Sequence, residues 1–249
     1  MSRYYTRVCN FYYGSKSKAL IKKAKSLPLN GNNLISFDEI EIISRKSIKK
    51  LSIKKINDLP HLLKKIVKKD IKLITKKKKF KNLNFKTLPK IMGVLNMTPD
   101  SFSDGGKYNK NYLAKKRLNY LFNSGANIVD IGGESTRPGS KPISSKIEWN
   151  RIKYILNNFN KKNFLSLDTR KSHIMEKGIN LGVALINDVS GLSYDKNSIK
   201  VLKKYKIPFV LQHSLGNPDV MQNNPKYKNV LLDIYDFFEK KIDYLRMNG

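Results

Sequence analysis

Five short clusters of polar residues in the second part of the chain carry the side chains best suited to chemistry. They are Asn96-Met97-Thr98-Pro99-Asp100, Gly132-Gly133-Glu134-Ser135-Thr136-Arg137, Asp168-Thr169-Arg170, Asn187-Asp188-Val189-Ser190 and Gln212-His213-Ser214. Their carboxylates and amides can exchange hydrogen bonds with a nitrogen-rich ring, while their hydroxyl and guanidinium groups suit an oxyanion. Each cluster directly follows an apolar run of strand length, so one kind of element would position all five.

Asp168 and Asn187 are the candidates for holding a ring. Asp168 ends an apolar run, so its carboxylate is expected to be partly desolvated and able to accept hydrogen bonds from an aminopyrimidine-like N–H pair. Asn187 can both donate and accept. Two structural alternatives stay open: Asp168 as the N-cap of the next helix, and Asn187 as the side chain of an Asx turn.

Two loops could close over such a site. Residues 98–106 are rich in small side chains, with Phe102 as an apolar lid and Asp104 as a charge that needs a partner. Residues 134–140 offer hydroxyl groups, backbone amides and Arg137, which suit an oxyanion such as pyrophosphate. Either loop could instead be a turn with a structural glycine. The lone His213 is interpreted as a hydrogen-bonded structural residue, not as a catalyst.

The elements that must position these clusters alternate along the chain from Lys90 onward. Strands are predicted over residues 91–96, 127–131, 164–167, 184–186 and 208–211, and helices over 112–124, 148–159, 172–180, 198–205 and 230–245. This alternation predicts parallel β/α units, and the continuously apolar strands predict a sheet covered by helices. The predicted fold class is α/β, a (β/α)₈ TIM-barrel type with about five units present. In a barrel the carboxyl ends of all strands face one mouth, whereas a doubly wound sheet converges only at its switch point.

A different, lysine-rich segment comes first, and the predicted domains are 1–89 and 90–249. The predicted elements of this small α+β segment are a β-prone stretch over 4–13, a helix over 16–25, a strand over 34–43, a helix over 62–74 with Asp58 as its N-cap, and a solvated linker over 76–79. The larger share of the excess positive charge lies here. No chemistry can be assigned to this segment.

Composition limits the class of protein. The formal net charge is +31 and the pI is near 10.0, which would suit a nucleic-acid-binding protein. The excess is nearly all lysine, however, whereas nucleic-acid readers favour arginine, so we attribute it to A/T-rich codon usage. The single cysteine gives no disulfide framework, and no apolar run approaches the roughly 18 residues of a membrane span. We therefore expect a soluble, cytoplasmic protein without membrane or nucleic-acid partners.

Four longer motifs resemble those of the dihydropteroate synthase family. They are GVLNMTPDSFSDGG (93–106), GANIVDIGGESTRPGS (125–140), SLDTRK (166–171) and INDVSG (186–191), with HSLGNPDVMQNNPKY (213–227) as a looser match. The resemblance implies a (β/α)₈ barrel of folate biosynthesis. Such an enzyme condenses 6-hydroxymethyl-7,8-dihydropterin pyrophosphate with p-aminobenzoate, releasing pyrophosphate with the help of Mg²⁺.

The resemblance also implies roles for residues that hold the pterin substrate. Asn96 would help to hold the Mg²⁺–pyrophosphate, and Thr136 would bind a phosphate oxygen. Asp168 and Asn187 would hold the pterin ring. The buried carboxylate of Asp168 would further stabilise the positive charge that ionisation leaves on the ring.

The second substrate and the two loops receive roles from the same resemblance. Phe102 and Pro138 would border the p-aminobenzoate pocket, in which sulfonamides also bind. Asp104 and Arg137 would pair as the loops close, which would exclude water from the reaction.

The chain departs from the family in two places. Gln212 and Ser214 stand where the family usually has methionines, so the wall of the pterin pocket is expected to be more polar. The family's later Asp-Pro-Gly, Ser-Arg-Lys and Arg-x-His motifs have no counterpart before Gly249. We therefore expect a fragment of a longer protein, inactive or poorly folded alone. The resemblance implies a homodimer through late helices for the full-length form, and the oligomeric state of this fragment stays open.

Three alternative functions remain. A methyltetrahydrofolate-binding methyltransferase would lack the SFSDGG and STRPG loops. A nucleic-acid-binding protein acting through residues 1–89 would keep salt-sensitive binding after deletion of residues 90–249. A non-catalytic remnant would bind pterin without turnover.

Overall fold

The computed structural model describes residues 3–78, 80, 83, 89–98, 111–137, 139–214 and 226–249. Three predicted site residues, Phe102, Asp104 and Pro138, lie outside these described residues. The chain divides into two compact units, residues 1–79 with 229–232 and residues 80–228 with 233–249. The assignment of residues 1–89 to a domain with a separate role stays a prediction.

The first unit is an antiparallel sheet with two α-helices. Its elements are β1 (Tyr5–Tyr13), α1 (Gly14–Lys22), β2 (Leu27–Leu29), β3 (Asn32–Ile43), β4 (Ile48–Ser52), a 3₁₀ helix (Ile53–Asp58) and α2 (His61–Thr75). Strand β3 pairs with β1, β2 and β4. Apolar residues of β3 and one face of α2 form a core that includes Phe37, Ile40 and Val67.

The predicted N-cap of α2 is wrong. Asp58 ends the 3₁₀ helix, and α2 begins at His61 with Pro60 at the N-cap position. Ser52 caps the 3₁₀ helix by accepting from the Lys54 amide. The extra turn therefore occupies the residues that the sequence pattern had assigned to the start of α2.

The second unit is a parallel sheet whose strands alternate with helices. Its elements are β5 (Met92–Asn96), α3 (Asn111–Asn123), β6 (Ile128–Gly132), α4 (Ser145–Asn158), β7 (Leu165–Asp168), α5 (Ser172–Asn180), β8 (Leu185–Asp188), α6 (Ser198–Tyr205), β9 (Phe209–Leu211) and α7 (Val230–Met247). The described strands follow one another in the order β5-β6-β7-β8-β9, each parallel to the next. The described residues thus form five β/α units in the succession of a TIM barrel, which confirms the predicted fold class.

One face of this sheet is covered by the helices. Leu95, Ile131, Leu167 and Ile186 are partners in register across four strands, and all four are fully buried. They pack in one cluster with helical side chains that include Ile152 of α4. Burial of each large aliphatic side chain stabilises the fold by about 1.5–3 kcal/mol. Because side chains alternate along a strand, the next residue of each strand faces the opposite side of the sheet.

Candidate active site

A row of four residues in register crosses the carboxyl ends of β5 to β8. Asn96 pairs with Gly132, Gly132 with Asp168, and Asp168 with Asn187. In-register residues of parallel strands share a face of the sheet, so the three polar side chains stand on one side. A Cβ on Gly132 would lie 3.4 Å from both Asn96 Oδ1 and Asp168 Oδ2. The glycine therefore leaves a slot between the two oxygen atoms.

The Asp168 carboxyl is held in a strongly unfavourable environment for a charge. Burial raises its pKa well above the usual value of 3.8, and repulsion from Asp130 and other acidic groups adds to the shift. The alternative role as a helix N-cap is wrong, because α5 begins at Ser172 with Lys171 at the N-cap position. The Ser172 amide donates to Asp195 Oδ2 at 2.9 Å. The Asp168 carboxyl group therefore does not cap α5 and can interact with a ligand.

Asn187 is fixed by a contact across the sheet. Its Nδ2 donates a hydrogen bond to Asp130 Oδ2 at 2.8 Å. The alternative role of Asn187 in an Asx turn is wrong, because the neighbouring Asp188 forms the turn. Asp188 Oδ1 accepts from the Ser190 amide at 2.8 Å, and its Oδ2 accepts from the Leu192 amide at 3.2 Å. The Asn187 side chain is therefore part of the polar face of the sheet.

Asp130 is a residue of this face that the sequence interpretation missed. It lies two residues before Gly132 on β6, and it is only 6% exposed. Burial raises the pKa of Asp130, and the neighbouring Ser166 hydroxyl and Asn187 amide oppose the shift. The Ser166 hydroxyl is close, yet neither its Oγ nor Asp130 Oδ1 completes a well-aligned hydrogen bond with any described residue. The feature of the sequence that could have indicated Asp130 is its position as an acidic residue inside an otherwise apolar strand.

A buried ionic network joins the segments that follow β6 and β7. Lys171 Nζ contacts Glu134 Oε2 at 2.9 Å and Glu148 Oε2 at 2.6 Å. Arg170 Nε donates to Glu134 Oε2 at 2.9 Å, and Thr169 Oγ1 donates to Glu148 Oε1 at 2.5 Å. All five side chains are less than a tenth exposed. Sequence reasoning recognised the cluster after β7 but not this network.

At Glu134, hydrogen bonds from the network outweigh the effect of burial on the pKa. Burial acts to raise the pKa of Glu134, but hydrogen bonds from Arg170, the Ile143 amide and Lys171 hold it below its usual range. Glu134 is therefore ionised at neutral pH. It anchors the first residues of the loop after β6 to the segment after β7.

Thr136 and Arg137 lie on a turn that is closed by its own hydrogen bonds. The Ser140 amide donates to the Arg137 carbonyl at 3.0 Å, and the Ser140 hydroxyl donates to the Ser135 carbonyl at 2.8 Å. The turn follows Glu134, shortly after Gly132 ends β6 in the middle of the polar row. The proposed contacts of Thr136 and Arg137 with substrate stay predictions, as do the roles of Phe102, Asp104 and Pro138.

His213 packs among aromatic rings of its own unit. Its ring centroid lies 4.6 Å from that of Phe237, in an edge-to-face arrangement, and 6.0 Å from that of Tyr227. These are packing contacts, and the interpretation of His213 as a hydrogen-bonded structural residue stays a prediction. Within the described ranges, no three His, Cys, Asp or Glu side chains come together as they would in a protein-only metal site.

Comparison with known proteins identifies the family. The profile described as pterin binding enzyme matches residues 92–249. The dihydropteroate synthase of Clostridium beijerinckii is 40% identical over 162 residues, which cover 64% of this chain and 57% of that protein. The dihydropteroate synthase of Escherichia coli strain K12 is 37% identical over 156 residues, which cover 62% of this chain and 55% of that protein. The chain thus spans little more than half the length of these curated relatives.

Solved structures agree in fold and in sequence. The dihydropteroate synthase of Yersinia pestis, in complex with a sulfonamide drug, matches with a TM-score of 0.61 at 36% identity, covering 65% of this chain and 59% of that one. The enzyme of Burkholderia cenocepacia, complexed with 7,8-dihydropteroate, matches with a TM-score of 0.57 at 32% identity, covering 67% and 56%. The chain therefore belongs to the pterin binding enzymes, and the relatives named above are dihydropteroate synthases.

Proposed function

We propose that this chain provides the pterin-binding part of a dihydropteroate synthase in folate biosynthesis. The reaction joins 6-hydroxymethyl-7,8-dihydropterin pyrophosphate to p-aminobenzoate and releases pyrophosphate. The observation that carries the proposal is the row formed by Asn96, Gly132, Asp168 and Asn187. Its polar groups match a nitrogen-rich ring at one end and a phosphate-bearing group at the other.

Asp168 and Asn187 hold the pterin ring. The Asp168 carboxylate accepts from ring N–H donors, and these donors replace the water that it loses by burial. When pyrophosphate departs, positive charge develops on the ring system. A carboxylate already fixed in a desolvated position stabilises that charge without reorganisation.

Asn96 and Thr136 face the pyrophosphate end of the substrate in this proposal. A protein Mg²⁺ site typically uses one or two protein oxygens together with phosphate oxygens and water. The Asn96 side-chain oxygen fits that role, and the lack of a three-acid cluster in the described residues is compatible with an ion held mainly by substrate. Magnesium would neutralise charge on the leaving pyrophosphate.

The p-aminobenzoate pocket is proposed to lie against Phe102 and Pro138. Its arylamine is a nucleophile without a strong general base, so the protein's task there is positioning. Asp104 and Arg137 would pair as the loops close and so protect the intermediate from water. The dihydropteroate synthase of Xanthomonas albilineans, which matches this chain with a TM-score of 0.57 at 32% identity, was solved with 4-aminobenzoic acid, and this supports the proposed substrate class.

The test is a titration of the purified 249-residue chain with 6-hydroxymethyl-7,8-dihydropterin pyrophosphate and Mg²⁺. We expect saturable binding that is lost in Asp168→Ala and kept in Asp243→Ala, a control at an exposed acidic residue of α7. Failure of the wild-type chain to bind would refute the proposal. Addition of p-aminobenzoate then separates catalysis from binding, because only catalysis forms dihydropteroate.

Location and assembly remain predictions. Of the helices in the described ranges, none is both long and apolar enough to cross a bilayer. We keep the proposals of a cytoplasmic location and of a homodimer. Gel filtration with light scattering tests the second.

A further inference from the structure

We propose that Asp130 is a positioning residue that sets the orientation of the Asn187 amide and thereby the hydrogen-bonding pattern offered to the ring. The ligand in this inference rests on the proposed function, but the orientation itself is a property of the free protein. Asp130 does not act on the reacting atoms. It acts through Asn187, whose Nδ2 it binds at 2.8 Å.

The contact between Asp130 and Asn187 is possible because the residue between them on β7, Ser166, is small. Asp130 on β6 is in register with Ser166 on β7, and Asn187 on β8 is in register with Asp168 on β7. The hydrogen bond therefore crosses β7 diagonally. Ser166 is fully buried and small, and a large side chain at this position would stand between the two partners.

A carboxylate is the right group to fix an amide. An ionised Asp130 only accepts hydrogen bonds, so the Asn187 amide must turn its nitrogen toward it. The opposite orientation would bring two acceptors together. An amide without such a partner can adopt either orientation, since its oxygen and nitrogen are nearly equal in shape.

The fixed orientation defines what Asn187 presents to a ligand. One N–H is bound to Asp130, so the second N–H and Oδ1 remain as an adjacent donor and acceptor. An aminopyrimidine edge offers the complement, a ring nitrogen that accepts beside an exocyclic amine that donates. Asp130 therefore favours ligands with this edge over analogues in which the amine is absent.

A purely structural role explains Asp130 poorly. The carboxyl is almost fully buried, yet only one of its oxygens has a well-aligned partner among the described residues. Burial of an incompletely paired carboxyl costs folding free energy. Such a group is better explained by what it does to Asn187.

The first arm of the test uses the ligand-free chain. We would record the side-chain amide signals of ¹⁵N-labelled protein and assign Asn187 by the signal lost in Asn187→Ala. Asp130→Asn is isosteric but no longer dictates the amide orientation, so the Asn187 signal should move or split. Ser166→Ala, a control next to the contact, should leave it close to its wild-type position. An unchanged Asn187 signal in Asp130→Asn would overturn the inference.

The second arm is a double-mutant cycle with 6-hydroxymethyl-7,8-dihydropterin pyrophosphate as the probe. Asp130→Asn should weaken binding on the order of tenfold in the wild-type background, as expected for loss of a charge-assisted hydrogen bond. In the Asn187→Ala background it should cause no weakening.

The two measurements distinguish failure of this inference from failure of the proposed function. An equal loss of affinity in both backgrounds would mean that Asp130 supports the fold and does not act through Asn187, which overturns the inference. A wild-type chain that binds no pterin would refute the proposed function instead. The amide signal would still decide the orientation.

Discussion

Asp168 shows how the fold and the proposed ligand place opposing demands on a single carboxyl group. Burial raises its pKa above 3.8, and the nearby acidic groups Asp130, Glu148, Asp188 and Glu134 raise it further. Because the pKa is higher in the folded than in the unfolded state, ionisation destabilises the fold. Stability contributed by this group is present at low pH and is lost as pH rises through the folded pKa.

The first prediction concerns Asp168→Asn, which removes the charge and keeps the shape. At pH 7 we expect the melting temperature of the ligand-free chain to rise by roughly 2–4 °C, the shift that about 1 kcal/mol produces in a domain of this size. The difference should shrink as pH falls toward 4, because the wild-type carboxyl is then protonated. Pterin affinity should fall at least tenfold in the same variant. Scanning fluorimetry across this pH range checks the stability, and a lower melting temperature at pH 7 would contradict the electrostatic argument.

Some site residues could be predicted from sequence and others could not. Asn96, Asp168 and Asn187 were found because each closes an apolar strand, and the register brings them together. The choice between ligand binding and capping for Asp168 was not decidable, because the cap comes from Asp195, 23 residues beyond Ser172. Asp130 was missed because it lies inside a strand, where its partner on β8 cannot be read from spacing.

At the scale of elements, two adjacent glycines have different tasks. Neither Gly132 nor Gly133 is among the residues with positive φ, so both positions tolerate alanine in their backbone conformation. A Cβ on Gly132 would make ordinary contacts with Asn96 and Asp168 in the site. A Cβ on Gly133 would lie 2.8 Å from the Glu148 carbonyl oxygen in α4.

The second prediction follows from this pair. Gly132→Ala should keep the melting temperature close to wild type but weaken pterin binding roughly tenfold or more, since the methyl group fills the slot in the polar row. Gly133→Ala should instead destabilise the fold by about 1–3 kcal/mol through overpacking against α4. Each variant is the control for the other in parallel melting and binding measurements. The opposite pattern would show that the slot is not the binding surface.

The third prediction concerns the network that joins the segments after β6 and β7. Lys171→Met leaves two buried carboxylates, Glu134 and Glu148, without their shared cation. We expect a loss of about 3–5 kcal/mol in the free energy of unfolding, measured by urea titration. Lys204→Met is the matched control, because Lys204 pairs with Glu176 at the surface and its removal should change stability little. Similar losses in the two variants would contradict the role of the network.

Elements with a regular pattern were predictable, and short irregular ones were not. The five parallel strands and the helices between them follow from alternating apolar runs. In the first unit, β2 has only three residues and includes Pro28, while β4 exposes Lys49 and Lys50. These two strands form because they pair with β3, since their own residues do not follow the pattern of a strand.

At the scale of the whole molecule, the net charge of +31 acts on any anion that approaches. The fourth prediction compares two ligands that share the pterin ring and differ in the pyrophosphate group. Raising the salt concentration from about 0.1 to 1 M shortens the screening length from roughly 10 to 3 Å. Association of 6-hydroxymethyl-7,8-dihydropterin pyrophosphate should slow markedly, while that of 6-hydroxymethyl-7,8-dihydropterin should change little. Equal salt effects on the two association rates would argue against electrostatic attraction of the proposed substrate.

The most direct test of the account is an experimental structure of this chain with 6-hydroxymethyl-7,8-dihydropterin pyrophosphate. We predict that the ring lies above Gly132, with its nitrogen atoms roughly 2.7–3.2 Å from the Asp168 carboxylate and the Asn187 amide. The pyrophosphate should extend toward Asn96. A ring bound elsewhere on the molecule, with these three side chains free of contact, would contradict the account.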